Sequence, residues 1–561
     1  MKDPHVVTHP CVSAAARARW MLAPLALALS TSLAMPVAHA QQAPAPESAA
    51  HAPLQISAIH IQGASAHPAQ GLDTASLQAR ANQALSQLSG GHLPAQVTLA
   101  QLKGIADELT RMYQQAGFLV ARAYVPAQKI GADGSVRIDI VEGTVGKVTL
   151  EGNTRYADDL LLAPALGLQG AVLRQQDLQS ALLRLDDLPG VTVTSLLKPG
   201  ALPGQTDVVL QAHQSNPVQY SIGANNYGTD STGRYRAQVG LDWNSPLGLG
   251  DHLGAAAAYA IDPSSSWLGN LNYSIPIQMV DGLSASASYT RSRISLDTGA
   301  FAALGLQGPT SQTSLGLDWT FLYIPQWRGQ SWLHLVHETS SLEALGITLS
   351  KQDFDVAEAG INLRHVSPAQ HAIDVVQLSL RQALHDGSQA TDYLYPAHNR
   401  HFLLARLNYA RLQGLTPTQR LKFSFDGQYT RDALTPLEQF SLGGPTSVRA
   451  FSLSEALGDR GFSSSLEYQV DGPRSASPLG GRSWNQLVTF NAFYDYGRVY
   501  PNHANRLAYP AVTTFQGPGA GMTVHLPHGL SLDLSAAKST GSTDPDDGKN
   551  VRYWASVGFT F

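Results

Sequence analysis

The chain closes on VRYWASVGFTF, Val551 to Phe561, and this stretch decides the fold. Tyr553, Ala555, Val557, Phe559 and Phe561 fall on one face of a strand, and Arg552, Trp554, Ser556, Gly558 and Thr560 on the other. Chain ends are usually polar and frayed, and an exposed apolar edge invites aggregation. A strand that closes a membrane barrel has no free edge and can present an aromatic face to lipid. Taken alone, the segment also admits the edge strand of a soluble sandwich.

The other end of the chain supports export. Lys2, Arg17 and Arg19 precede an apolar run from Met21 to Leu33, and Ala38-His39-Ala40 offers a small-x-small cleavage site. Residues 1–40 are expected to be a signal peptide, with an apolar core too short to span a bilayer. The single cysteine, Cys11, lies within it, so the mature chain offers no disulfide, thiolate metal site or cysteine nucleophile. Hydrophobic residues make up 43% of the chain, with no second apolar run long enough for a spanning helix. The net charge of −5 and the dispersed charges argue against nucleic acid as a partner.

Residues 41–53, rich in Ala, Pro and Gln, read as a linker too short and too proline-rich to form a plug helix. From Ile56 to Gln214 short strands alternate with helical periodicity, and the pattern occurs twice. In the first unit Ile59 and Ile61 precede Gly63; Leu99, Leu102, Ile105, Leu109 and Met112 take helical spacing up to Gly117; strands Phe118–Val125 and Ser135–Glu142 follow. In the second, Val148 and Leu150 precede a helix expected over Leu173–Leu188, then strands Val191–Leu197 and Asp207–Gln214. After Asn216 the period becomes two. Leu421, Phe423, Phe425 and Tyr429 oppose Lys422, Ser424, Asp426, Gln428 and Thr430, and Leu530, Leu532, Leu534 and Ala536 repeat the design. At roughly twenty residues per strand and loop, residues 215–561 hold about sixteen antiparallel strands.

The run Val125-Pro126-Ala127-Gln128-Lys129-Ile130, followed by Gly134-Ser135-Val136-Arg137-Ile138-Asp139-Ile140-Val141-Glu142-Gly143, resembles the first POTRA domain of two-partner secretion (type Vb) transporters, the ShlB/FhaC/HecB haemolysin secretion/activation family. The ending, with Tyr553, Val557, Phe559 and Phe561 on one face, looks like the C-terminal signal by which bacterial barrels are recognised for insertion. The resemblance implies α+β POTRA domains at 54–143 and 144–214 in the periplasm, then an all-β outer-membrane barrel. Asn244-Ser245-Pro246-Leu247-Gly248 looks like an early barrel turn of the same family, and Gly443-Gly444-Pro445-Thr446-Ser447-Val448-Arg449-Ala450-Phe451 resembles the Val-Arg-Gly-aromatic tip of its lumen loop, near 443–460. Ala450 stands where the family has glycine; a positive φ there would cost about 1 kcal/mol or more.

Phe493-Tyr494-Asp495-Tyr496-Gly497 matches the family's Phe-x-Asp-x-Gly barrel-wall motif, with Phe493 and Asp495 on one face. The resemblance implies that Arg449 meets Asp495 in the lumen; the residues alone also admit a solvated arginine and a turn-forming aspartate. The implied function is a translocation pore that binds an unfolded exoprotein through its POTRA domains and secretes it. Strand addition to a POTRA sheet edge is the expected grip, with Phe118, Val120, Tyr124, Val191 and Val193 as candidate contacts. Expected partners are a secreted exoprotein with an N-terminal secretion domain, outer-membrane lipid, and the barrel-assembly machinery during biogenesis. An outer-membrane insertase of the BamA type is the alternative. No catalytic motif, cofactor site or metal-ligand spacing is found, and Asp544-Pro545-Asp546-Asp547-Gly548 lacks the glutamate a helix-loop-helix calcium site needs.

Overall fold

The computed structural model describes residues 53–262, 266–296, 304–388, 398–477, 479, 481–502, 505 and 512–561. The expected signal peptide and all of the linker but Pro53 lie outside the described residues, as does the expectation that no plug helix forms.

The first unit comprises β1 (Leu54–Ile56), β2 (Ala58–Gln62), α1 (Thr74–Leu88), β3 (Ala95–Val97), α2 (Leu99–Gln115), β4 (Arg122–Tyr124) and β5 (Ser135–Val141). β5 lies between a parallel β2 and an antiparallel β4. Helix α2 starts on a capping box: Thr98 Oγ1 accepts the Gln101 N–H, and the Gln101 side chain accepts the Thr98 N–H. It stops at Gly117, whose φ of +92° favours glycine. Its buried face, Leu102, Ile105, Leu109 and Tyr113, joins Ile59, Ile138 and Ile140 in one core.

The second unit repeats the plan with β6 (Thr144–Glu151), α3 (Asp158–Leu166), α4 (Gln175–Leu185), β7 (Val191–Pro199) and β8 (Gln205–Gln214). β8 lies between a parallel β6 and an antiparallel β7. The units meet where Arg174 lies over the Phe118 ring, 5.2 Å from its centroid, and the Gln175 N–H donates to Gly117 O. Beside this contact Glu142 accepts from the Ser65 N–H (2.8 Å) and Tyr113 O–H (3.2 Å) and pairs with His67 (3.2 Å). Burial pushes its carboxyl up, but the Ser65 amide and His67 outweigh that and hold it below the usual range.

The rest of the chain is a barrel. Its strands are β9 (Val218–Asn225), β10 (Tyr235–Asn244), β11 (His252–Asp262), β12 (Trp267–Pro276), β13 (Leu283–Leu296), β14 (Leu306–Ile324), β15 (Trp327–Ala344), β16 (Ile347–Ser367), β17 (Ala372–Asp386), β18 (Leu403–Thr416) and β19 (Gln419–Thr430), then β22 (Arg460–Asp471), β23 (Val488–Tyr500), β24 (Thr513–His525), β25 (Leu530–Lys538) and β26 (Val551–Thr560). The intervening β20 (Phe440–Leu442) and β21 (Ala456–Gly458) form a separate hairpin. All sixteen wall strands pair antiparallel with their neighbours, and β26 closes on β9, so the strand count read from the sequence holds.

Turns of two to seven residues join β10 to β11, β12 to β13 and β14 to β15 at one end of the barrel. The second unit docks on the short turns: the Ala157 N–H donates to Gly248 O, Arg184 pairs with Asp281, and Arg328 pairs with Asp187. The Asn244–Asp251 turn is organised around buried Asp251, which accepts from the Leu247 N–H and the Tyr273 O–H. Among the described residues no helix is long and apolar enough to cross a membrane; the strands supply the apolar belt.

Two sequence expectations shift. The strand expected over Phe118–Val125 is regular only at Arg122–Tyr124, because the chain leaving Gly117 turns and buries Phe118 in the core. The helix expected over Leu173–Leu188 runs from Gln175 to Leu185, while Leu173 packs in the second core ahead of it.

Candidate functional site

The chain between β19 and β22, residues 431–459, turns back into the barrel. β20 and β21 form its stem, and the tip reverses at Gly443 and Gly444, with φ of +101° and +107°. A β-carbon on Gly443 would lie 2.4 Å from Ser452 O, so this turn needs glycine.

Arg449 leaves the tip towards the wall. Its Nε and Nη2 donate to the two Asp495 oxygens, each at 2.8 Å, and its backbone N–H donates to Asp495 Oδ2 at 3.0 Å. Nη2 also reaches Ser465 Oγ (2.9 Å) and Nη1 reaches Glu467 Oε2 (3.1 Å). The planar guanidinium lies over the Phe493 ring, 3.1 Å from its centroid. The Asp495 side chain is fully buried and also accepts from the Ser465 hydroxyl. A lysine could not reproduce this fork, because one ammonium cannot span two carboxylates and a hydroxyl in fixed geometry.

The other tip residues are held by packing. Val448 and Ala450 are buried with Phe493, and Phe451 stacks on Phe515 of β24 with centroids 3.8 Å apart. Among the described residues the non-glycine positive-φ positions are Ser245, Leu345, His371, Ser454 and His528, so Ala450 carries no left-handed strain. Its methyl group lies against Gly517 of β24. Gly497 belongs to the same contact: a β-carbon there would lie 2.4 Å from Leu442 Cδ1 and 3.1 Å from Val448 Cγ2.

Sequence reasoning missed three parts of this site. Ser465 and Glu467, on the lumen face of β22, complete the Arg449 pocket. Trp554, inward on β26, donates its indole N–H to Arg449 O at 2.7 Å, so the terminal strand grips the tip. At the base of the loop, buried Glu438 accepts from Arg381 of β17 (2.5 Å) and Arg406 of β18 (3.0 Å), and Arg381 also bonds Glu338 (3.1 Å) and Glu358 (2.6 Å). Alternation marks these residues as inward but cannot reveal that they converge.

The outward-facing residues of β26 close the seam. Tyr553, Val557, Phe559 and Phe561 share its outer face; Phe561 exchanges backbone hydrogen bonds with Tyr220 and stacks on its ring. Asn226 extends the ladder with its side chain, donating to Tyr553 O (2.9 Å) and accepting from the Ala555 N–H (2.8 Å). Lys549 and Asp230 pair across the seam's loop end.

The candidate exoprotein contacts separate sharply. Phe118, Val191 and Val193 are buried in the two cores, so none of these three can meet a substrate in this conformation, and half-buried Val120 packs against the second core. Only Tyr124 is exposed, at 41%. Their strands do lie at sheet edges: β4 and β7 each pair on one side only. The three-residue β4 is capped by Thr110, whose hydroxyl accepts the Ala123 N–H. In β7 the exposed face is Thr192, Thr194 and Leu196.

Comparison with known proteins gives a consistent assignment. The family model described as "Haemolysin secretion/activation protein ShlB/FhaC/HecB" matches residues 204–524, and the model "POTRA domain, ShlB-type" matches residues 67–143. The heme/hemopexin transporter protein HuxB of Haemophilus influenzae (strain 86-028NP) is 23% identical, over 85% of this chain and 84% of that protein. The hemolysin transporter protein ShlB of Serratia marcescens is 27% identical, over 75% and 73%. Among solved structures, CdiB from Escherichia coli superposes with a TM-score of 0.66 at 19% identity, covering 94% of this chain and 93% of that one. BamA from Haemophilus ducreyi lacking POTRA domains 1–3 superposes at 0.55 with 18% identity, covering 90% and 100%; both likenesses bear on fold alone.

Proposed function

This chain belongs to the haemolysin secretion/activation family of two-partner secretion transporters, and on that premise we propose how its parts divide the work. It is an outer-membrane β-barrel with POTRA domains in the periplasm, and it secretes an exoprotein partner. We assign residues 1–40 to a signal peptide, 41–53 to a linker, 54–143 and 144–214 to the two POTRA domains, and 215–561 to the barrel.

Capture falls to the β7 edge. The Val193 N–H on its free side is taken by the Asp186 carboxylate, and by two-residue alternation the Ser195 and Leu197 amides point the same way. An extended segment of the exoprotein's N-terminal secretion domain adds there as a strand, with Thr194 and Leu196 meeting its side chains. The barrel then conducts the chain, and folding outside disfavours its return. During biogenesis Tyr553, Val557, Phe559 and Phe561 form the surface that the barrel-assembly machinery reads, and afterwards that surface faces lipid.

The observation that carries this reading is the lumen loop clasped to the wall by one arginine. A loop held through Arg449, Asp495, Ser465 and Glu467 can be displaced as a unit when the passing chain competes for those groups. The test is secretion of an exoprotein encoded beside this gene, co-expressed with wild type, with Arg449→Ala and with a form lacking residues 54–214. Cargo in the medium with wild type alone supports the reading. Cargo retained in the periplasm in every case, while other outer-membrane barrels rise or fall with expression, replaces it with the insertase.

A further inference from the structure

The strand pair that holds the loop tip inward carries a different chemistry on its outer face. β22 and β23 turn Ser465, Glu467, Phe493 and Asp495 to the lumen, so alternate residues, among them Arg460, Phe462, Arg498 and Tyr500, face outward. The glycines confirm the direction: a β-carbon on Gly461 would meet Phe440, and one on Gly497 would meet Leu442, both from the lumen loop. In the register Arg460 lies opposite Tyr500, and Phe462 opposite Arg498. The two guanidiniums flank the Tyr500 ring, 5.8 and 5.2 Å from its centroid.

Among the described residues neither arginine pairs with a carboxylate, and Arg498 Nε is buried without a hydrogen-bond partner. The neighbouring acid, Asp459, is fully buried and spent on the Leu434 and Asn502 amides and the Asn505 side chain. Exposed Arg431 follows β19, the adjacent strand. These residues sit at the strand ends remote from the docked second unit, beyond the outward-facing Tyr468, Leu466 and Tyr494. An outward arginine at mid-membrane costs about 2–4 kcal/mol, falling to about 0–1 near the interface, so a strand end is where two can be kept. Two cations held around one ring repel each other unless an anion lies between them.

We propose that Arg460, Arg498 and Tyr500 clamp a phosphate of the phosphorylated glycolipid in the outer leaflet. Phosphate suits the paired forks, which bind its oxygens bidentately, while the Tyr500 face keeps both guanidiniums in place. The same wall bears Asp495 inward, so the bound lipid braces the strands on which the loop is anchored. Arg291 and Arg293 on β13 also face outward, but both are exposed and no ring is shared between them, which makes them the control.

The test uses the full protein in neutral detergent, titrated by native mass spectrometry with lipid A bearing its phosphates and with the same lipid dephosphorylated. Wild type should hold the phosphorylated form about tenfold more tightly or better, as expected for charge-assisted contacts. Arg460→Ala with Arg498→Ala should lose that preference, and Arg291→Ala with Arg293→Ala should keep it, all with unchanged heat-modifiable mobility. If the double variant fails to fold, Arg498→Gln alone should lower the preference several-fold. Equal affinity for the two lipids, an unaffected double variant, an equal loss in the β13 control, or displacement by millimolar inorganic phosphate would each overturn the proposal.

Discussion

The tip and the base of the lumen loop are held by opposite arrangements of charge. At the tip the loop supplies a cation, Arg449, to two wall carboxylates, Asp495 and Glu467. At the base it supplies an anion, Glu438, to two wall guanidiniums, Arg381 and Arg406, with Glu338 and Glu358 behind them. The two stations also differ in water access: the Arg449 side chain is 13% exposed and that of Arg381 only 2%. A clasp that water can reach can open and reclose, because a separated charge is rehydrated; one sealed from water cannot open without leaving ions bare. We read the base as a fixed hinge and the tip as the releasable end.

The largest effect that would test this contrast is on the hinge. Arg381→Ala leaves Glu338, Glu358 and Glu438 facing Arg406 alone, and we expect a loss of about 3–5 kcal/mol, read as a lower midpoint of the heat-modifiable transition on gels. Arg449→Ala should cost less, about 1–3 kcal/mol, because the backbone N–H at 449 and the Ser465 hydroxyl still donate to Asp495. It should nevertheless abolish secretion, and Arg449→Lys should fail to restore it. Equal destabilisation by the two alanine variants would erase the distinction between hinge and clasp.

The difference between the stations also explains what the sequence could disclose. The barrel was legible because lipid outside and water inside impose a period of two on every strand, and the tip because Val448-Arg449-Ala450-Phe451 and Phe493-x-Asp495-x-Gly497 are contiguous patterns. The base is scattered over five separate segments of chain, β15, β16, β17, β18 and the loop itself, each residue an ordinary polar position. In the second N-terminal unit alternation grouped Val191 with Val193 correctly but did not say which face was the core, and both point into it. Ala450 invited concern over a left-handed backbone that the tip does not use; Gly443 and Gly444 make the turn instead.

A smaller perturbation sharpens the comparison without touching charge. Gly497→Ala places a methyl group within 2.4 Å of Leu442 Cδ1, so the loop must ride away from the wall while Arg449 and Asp495 remain intact. We expect about 1–3 kcal/mol of destabilisation from overpacking. Single-channel recordings should show more frequent transitions between conductance levels than wild type. Unchanged recordings would mean that the ion pair alone holds the tip.

The smallest expected effect lies at Trp554, where the loop and the seam share one hydrogen bond. Trp554 is buried on β26, and the carbonyl it bonds belongs to Arg449, the residue that makes the clasp. The same strand closes on β9, where Asn226 lengthens the ladder with its side chain. Trp554→Phe keeps the aromatic body and removes only the donor, a change of about 1 kcal/mol. If tip and seam are separate devices, that change should add to Asn226→Ala in the double variant, since independent sites combine within a few tenths of a kcal/mol. If the terminal strand reports the position of the tip, the double variant should fall short of the sum, because releasing either partner already frees the other. A double-mutant cycle on the heat-modifiable transition separates the two outcomes, and we expect the coupled one, since Trp554 and the Tyr553 and Ala555 groups that Asn226 bonds are consecutive residues of one strand.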